Sequence, residues 1–188
     1  MQIHQQTTMN KNVRTRIALP TSLSRVPSGS GLTGALLFGD DLFELSVLGD
    51  VLRDFGVSVI AEATGAAASL AKFDAMAELP SLVMCDLDAW GSDHGRFMQE
   101  LGTRGYGGGI VVISGSDLQT MNAAAGVARF HGLRIVAFLG KPIRVSSVGA
   151  ALANLARSLA ERGTSNEIQQ LEGVEPSRAP ADSNHGSL

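Results

Sequence analysis

Five short apolar runs rich in Val, Ile and Leu, at residues 35–38, 57–61, 82–85, 110–113 and 135–139, are each followed by a stretch that reads as helix. Runs this short and this uniformly apolar are strands buried on both faces. After the first run come Leu45, Leu48, Leu52 and Phe55, three or four residues apart, with Gly56 placed to end a helix. After the last come Val148, Leu152, Leu155 and Leu159, with Ser146 and Ser147 as candidate N-caps and Gly163 as the stop. Residues 66–76, 97–101 and 118–130 complete the alternation as weaker helices, the first and third rich in Ala. Such regular alternation predicts an α/β fold: one doubly wound sheet of five parallel strands, helices on both faces and right-handed crossovers.

Charged residues stand where three of these runs stop. Asp40 and Asp41 follow the first, Asp86 the third, and Lys141 with Pro142 the fifth. Open α/β sheets hold their ligands at the carboxyl ends of their strands, so these groups are expected to meet at one edge. Two carboxylates about 4 Å apart repel by roughly 4 kcal/mol at an effective dielectric near 20. Three of them therefore call for a divalent cation or for protonation. Carboxylates with one ammonium suit a hard cation and a phosphoryl group.

The rest of the composition narrows the class. Hydrophobic residues make up 44% of the 188 and charged residues 18%, enough for one ordinary domain. A formal net charge of -3 gives no reason to expect nucleic acid as a partner. One Cys excludes an internal disulfide framework and fits a reducing compartment. No apolar run reaches membrane-spanning length and the start does not resemble a secretory signal, so a soluble, cytoplasmic protein with no membrane partner is expected. Residues 1–33 hold Lys11, Arg14, Arg16 and Arg25 without any Asp or Glu and are expected to be disordered. A transit peptide or a contact with an anionic surface is the alternative there. From residue 163 onward Glu167, Glu172, Glu175 and Asp182 face the single Arg178, which predicts a disordered acidic tail. The folded unit is then residues 34–162.

The order of these groups resembles the receiver domain of bacterial two-component response regulators: an Asp pair after the first strand, Asp86 after the third, Ser114 after the fourth, Lys141-Pro142 after the fifth. The likeness runs over about residues 33–160. The ending Phe138-Leu139-Gly140-Lys141-Pro142 further resembles receivers joined to cyclic-di-GMP phosphodiesterase (EAL) domains, here without the enzyme. The resemblance implies a flavodoxin-like strand order 2-1-3-4-5. It implies that Asp86 is the phosphoacceptor of a phosphorelay, that Asp40, Asp41 and Asp86 hold Mg²⁺, and that the backbone carbonyl of Asp88 adds a further oxygen. Lys141 and the Ser114 hydroxyl would bind the phosphoryl group, and Phe138, three residues before the Lys, would be a switch residue. Implied partners are a sensor histidine kinase or histidine phosphotransfer protein and a downstream protein target, with room for a homodimer. The chain would be a conformational switch and not an enzyme.

Departures from the family pattern are visible. Ser114 stands where Thr is commoner, keeping the hydroxyl but losing a methyl that helps fix its rotamer. The loop after Asp86 lacks the familiar Pro four residues on and carries an extra carboxylate, Asp88. Blander readings stay open beside these. Asp40 and Asp41 also suit helix N-caps, Asp86 a polar strand end, Lys141 a solvated turn, and Phe138 the core. Cys85 reads as a small buried hydrophobe, and His94 and His131 lack the spacing of zinc ligands. Asp86 with Asp88 also matches the Asp-x-Asp signature of haloacid-dehalogenase-type phosphatases, so a small acyl-phosphate hydrolase is a rival. A receiver-fold interaction module that is never phosphorylated is another.

Overall fold

The computed structural model describes residues 31–88 and 93–172. Ten elements alternate along them: β1 (Gly34–Gly39), α1 (Leu42–Asp54), β2 (Val59–Thr64), α2 (Ala66–Ala75), β3 (Leu82–Asp86), α3 (Asp93–Thr103), β4 (Gly109–Ser114), α4 (Leu118–Phe130), β5 (Arg134–Gly140) and α5 (Val145–Glu172). The five strands form one parallel sheet in the order β2-β1-β3-β4-β5. This is the expected α/β fold with the expected strand order.

Alternation along each strand sorts the core into two layers. Ala35, Leu37, Leu82, Met84, Val111 and Ile113 point to the face covered by α1 and α5, where Leu45, Leu48, Leu52, Val148, Leu152 and Leu155 meet them. Leu36, Phe38, Val83, Cys85, Ile110 and Val112 point to the other face, against Phe73, Phe97, Met98, Leu101, Ala124 and Ala128. The Phe38 and Phe97 rings lie 4.6 Å apart, pinning α3 to the centre of the sheet. Apolar residues on both faces explain why β1, β3 and β4 read so clearly as uniform runs.

Three expectations shift. β2 was expected over 57–61, but Val57 is not in the strand. It closes α1: Gly56, at φ +100, donates to the Arg53 carbonyl and the Val57 N–H donates to that of Leu52. These two bonds satisfy the last carbonyls of the helix and bury Val57 as the hydrophobic partner that such an ending carries. The strand starts only after that, as an edge strand, half-buried at Ile60, Ala61 and Glu62 and exposed at both ends. At the other end, α5 does not stop at Gly163 but continues to Glu172, since one glycine in a long helix costs only about 1 kcal/mol. It also begins at Val145, ahead of Ser146 and Ser147, which lie in its first turn and not at its cap. Residues 163–172, expected to open a disordered acidic tail, are thus helical; the rest of the two expected tails, at 1–30 and 173–188, lies outside the described residues, as does the middle of the loop after Asp88. Among the described residues no helix is long and apolar enough to cross a membrane.

Candidate phosphoryl site

β1 ends at Gly39, tight against β3: a Cβ on Gly39 would lie 3.7 Å from that of Asp86. The chain then turns through Asp40, which is exposed, into Asp41. Asp41 is the N-cap of α1. Its Oδ1 accepts from the amides of Phe43 at 2.8 Å and Glu44 at 3.3 Å, satisfying two donors that the helix leaves open. Glu44 occupies the third helical position and places its carboxylate 3.5 Å from Lys141 Nζ.

Asp86 closes β3 with 5% of its surface exposed. Its Oδ1 accepts the N–H of Asp88 at 2.9 Å and its Oδ2 accepts from Lys141 Nζ at 2.5 Å. Lys141 leaves the end of β5, where its own N–H donates to the Ser114 carbonyl and the peptide to Pro142 is cis. Burial works to lower the Lys141 pKa, but the bond and charge of Asp86, then the charges of Glu44 and Asp88, outweigh it and hold it above the ordinary value. Just inside the edge, Cys85 is fully buried, and burial first and the Asp86 charge second push its thiol up to about 12.

Ser114 closes β4, only 1% exposed. Its Oγ donates to Asp88 Oδ1 at 2.9 Å and accepts from the N–H of Ser116 at 2.9 Å. Asp88 also accepts from the Gly115 N–H at 2.7 Å and the Ser116 hydroxyl at 2.9 Å, and it lies 3.9 Å from Lys141 Nζ. The Gly115 amide foremost holds the Asp88 carboxyl below its ordinary value; burial opposes this, while Ser114, Ser116 and Lys141 add to it. Phe138, opposite Val112 on β5, is 38% exposed.

Asp86, Asp88, Ser114 and Lys141 thus come together in one bonded cluster. Asp40 and Asp41 stand at the adjoining strand end, Asp41 with its cap bonds to α1. Among the described residues no three His, Cys, Asp or Glu side chains converge as a metal site. The donor chemistry, carboxylate oxygens at a sheet edge, is right for a hard cation, but in this arrangement Lys141 Nζ neutralises Asp86. Sequence reasoning missed Glu44, Gly115 and Ser116. Glu44 carried a usable signal, three residues after an N-cap Asp; nothing in the sequence marks the other two.

No family model matches the chain, and no curated protein does either. Solved structures do. A response regulator receiver domain from Clostridium thermocellum superposes with a TM-score of 0.55 at 16% identity, covering 74% of this chain and 99% of that one. The signal receiver domain of an HD domain-containing protein from Pseudomonas fluorescens Pf-5 gives 0.57 at 18%, covering 69% and 98%. That of a modulated diguanylate cyclase from Desulfovibrio desulfuricans G20 gives 0.57 at 18%, covering 70% and 98%. From the sheet order to these superpositions, the fold of this chain is that of response regulator receiver domains.

Proposed function

We propose that the chain is a phosphoacceptor receiver of a two-component phosphorelay, with Asp86 as the residue phosphorylated. The observation that supports this most is the pairing of the buried Asp86 carboxylate with Lys141, at a strand edge where the Ser114 hydroxyl bonds the neighbouring Asp88. An Asp86 oxygen attacks the phosphorus of a phosphohistidine or a small acyl phosphate. The P–O bond of the aspartyl phosphate forms, and the bond to the imidazole nitrogen or acyl oxygen breaks with its electron pair leaving on the donor. The transition state is loose, with charge spread over three equatorial oxygens, so positioning and neutralisation carry the catalysis. Lys141 supplies positive charge and Ser114 a hydrogen-bond donor. Mg²⁺ is the cofactor of this reading, held by Asp40, Asp41, Asp86 and the carbonyl of Asp88. It would neutralise the carboxylates and the entering phosphoryl oxygens.

The remaining partners follow from the same reading: a histidine kinase or phosphotransfer protein upstream and a protein target downstream, reached by movement of Ser114 and Phe138. The Phe138-to-Pro142 ending supports kinship with receivers joined to cyclic-di-GMP phosphodiesterase domains. The hydrolase reading needs Asp88 as a protonated general acid. Its carboxyl instead accepts three hydrogen bonds and is held below the ordinary range, which keeps it ionised at neutral pH.

The test is intact-mass measurement after treatment with acetyl phosphate and Mg²⁺. The wild-type chain should gain one phosphoryl group, stable to acid and labile to base, and Asp86→Ala should gain none. Equal labelling of both would place the nucleophile elsewhere.

A further inference from the structure

Three donors from consecutive residues, the Ser114 hydroxyl, the Gly115 N–H and the Ser116 hydroxyl, converge on the carboxylate of Asp88 at 2.9, 2.7 and 2.9 Å. Lys141 Nζ stands behind them at 3.9 Å. Hydroxyl and amide donors around a charged oxygen pair, with an ammonium close by, make a seat for an oxyanion, and the bonds are charge-assisted. The seat adjoins Asp86. Asp88 donates its own N–H to Asp86 Oδ1, and Lys141 is shared between the two carboxylates. A Cβ at position 115 would lie 3.4 Å from Asp88 Oδ2, in ordinary contact with the carboxylate, so the backbone of this loop runs close against the seat.

We propose that Asp88 is a built-in occupant of this seat: its carboxylate takes the donors that an external oxyanion at Asp86 would use, and must be displaced before such an anion can bind. The consequence for phosphoryl transfer rests on the reading of Asp86 as phosphoacceptor; the occupancy itself does not. Two costs fall on an incoming phosphoryl group. It meets a second negative charge beside Asp86, and it gains its bonds to Ser114 and Gly115 only as Asp88 gives up its own. With the seat filled from within, the loop between β4 and α4 is held in place before any phosphate arrives.

Inorganic phosphate is the probe, titrated without metal into the full chain while the amide signals of Gly115 and Ser116 are followed by NMR. Asp88→Ala should bind phosphate at least tenfold more tightly than wild type, with the largest shifts at those two amides. Asp88→Asn, which keeps one acceptor oxygen and loses the charge, should fall between them and guards against a folding defect in the Ala variant. With acetyl phosphate and Mg²⁺, Asp88→Ala should gain its phosphoryl group at least fivefold faster. Equal phosphate affinity in the three proteins, or shifts centred away from Gly115 and Ser116, would overturn the proposal. If acetyl phosphate labels none of them while Asp88→Ala still binds phosphate tenfold more tightly at Gly115, the seat stands and the phosphoacceptor reading falls.

Discussion

Ser114 carries two jobs with one oxygen, donating to Asp88 and accepting from Ser116, and it does so almost fully buried. Ser114→Ala leaves the Ser116 amide without that acceptor and Asp88 with one donor fewer, so urea denaturation should show a loss of about 1–2 kcal/mol. Asp41 gives a different result. As the N-cap of α1 it should cost about 1 kcal/mol when changed to Ala, and a Mg²⁺ titration of the same variant shows whether it also serves as a metal ligand. The bonds to Asp88 also set a pH dependence. A carboxyl whose folded pKa lies below its unfolded value of about 3.9 stabilises the fold fully above that pH and loses the contribution as pH falls through the folded value. Denaturation midpoints from pH 6 down to pH 2 should therefore fall less steeply for Asp88→Ala than for wild type. At this scale the sequence was legible where chemistry repeats at strand ends, as with Asp86 and Lys141. It was silent on Gly115 and Ser116, whose part depends on a loop conformation that no spacing rule encodes.

Helix ends follow one rule three times. After α1, α3 and α4 a glycine at positive φ, Gly56, Gly105 or Gly132, donates back to the helix, and the next residue, Val57, Tyr106 or Leu133, donates to the carbonyl one residue earlier and is buried. This is why Val57 resembled the start of a strand and was the end of a helix. An apolar residue after a helix-stopping glycine serves either element, and the hydrogen bonds that decide between them are not in the sequence. Strands β1, β3 and β4 were legible because both of their faces are buried; α5 was legible along its apolar stripe and at neither end, since the two serines lie inside its first turn and a single glycine is a weak stop. Packing between elements makes a separate prediction at Gly102 in α3. A Cβ there would lie 2.6 Å from the His131 carbonyl oxygen and 2.8 Å from its Cβ, so α3 and the end of α4 could not keep their distance. Gly102→Ala should lower stability by about 1–3 kcal/mol in thermal or urea denaturation, more than the roughly 1 kcal/mol that better helix propensity returns.

Across the whole molecule the sheet separates two cores, and the bonded cluster lies at its edge, where a change in one loop can reach either side. An aspartyl phosphate shifts the fold only by interacting differently with two conformations. The donors that would follow it are Ser114 and the start of the loop into α4, and Phe138, part exposed on the neighbouring strand, is the side chain that the proposed switch would repack. A complex with Mg²⁺ and beryllium fluoride should therefore perturb the amides of residues 114–129 and of Phe138 more than those of residues 66–76. Changes confined to Asp40, Asp86 and Lys141 would point to a site that binds without transmitting. The same central strand that carries Asp86 also carries the only thiol of the chain, and Cys85 is sealed in the core with a pKa near 12. Alkylating reagents attack the thiolate, so in the folded protein this sulfur is both out of reach and in the wrong form. It reacts when β3 leaves the sheet, which makes the labelling rate of Cys85 a stopwatch for the opening of the whole domain, present in the chain without any engineered probe.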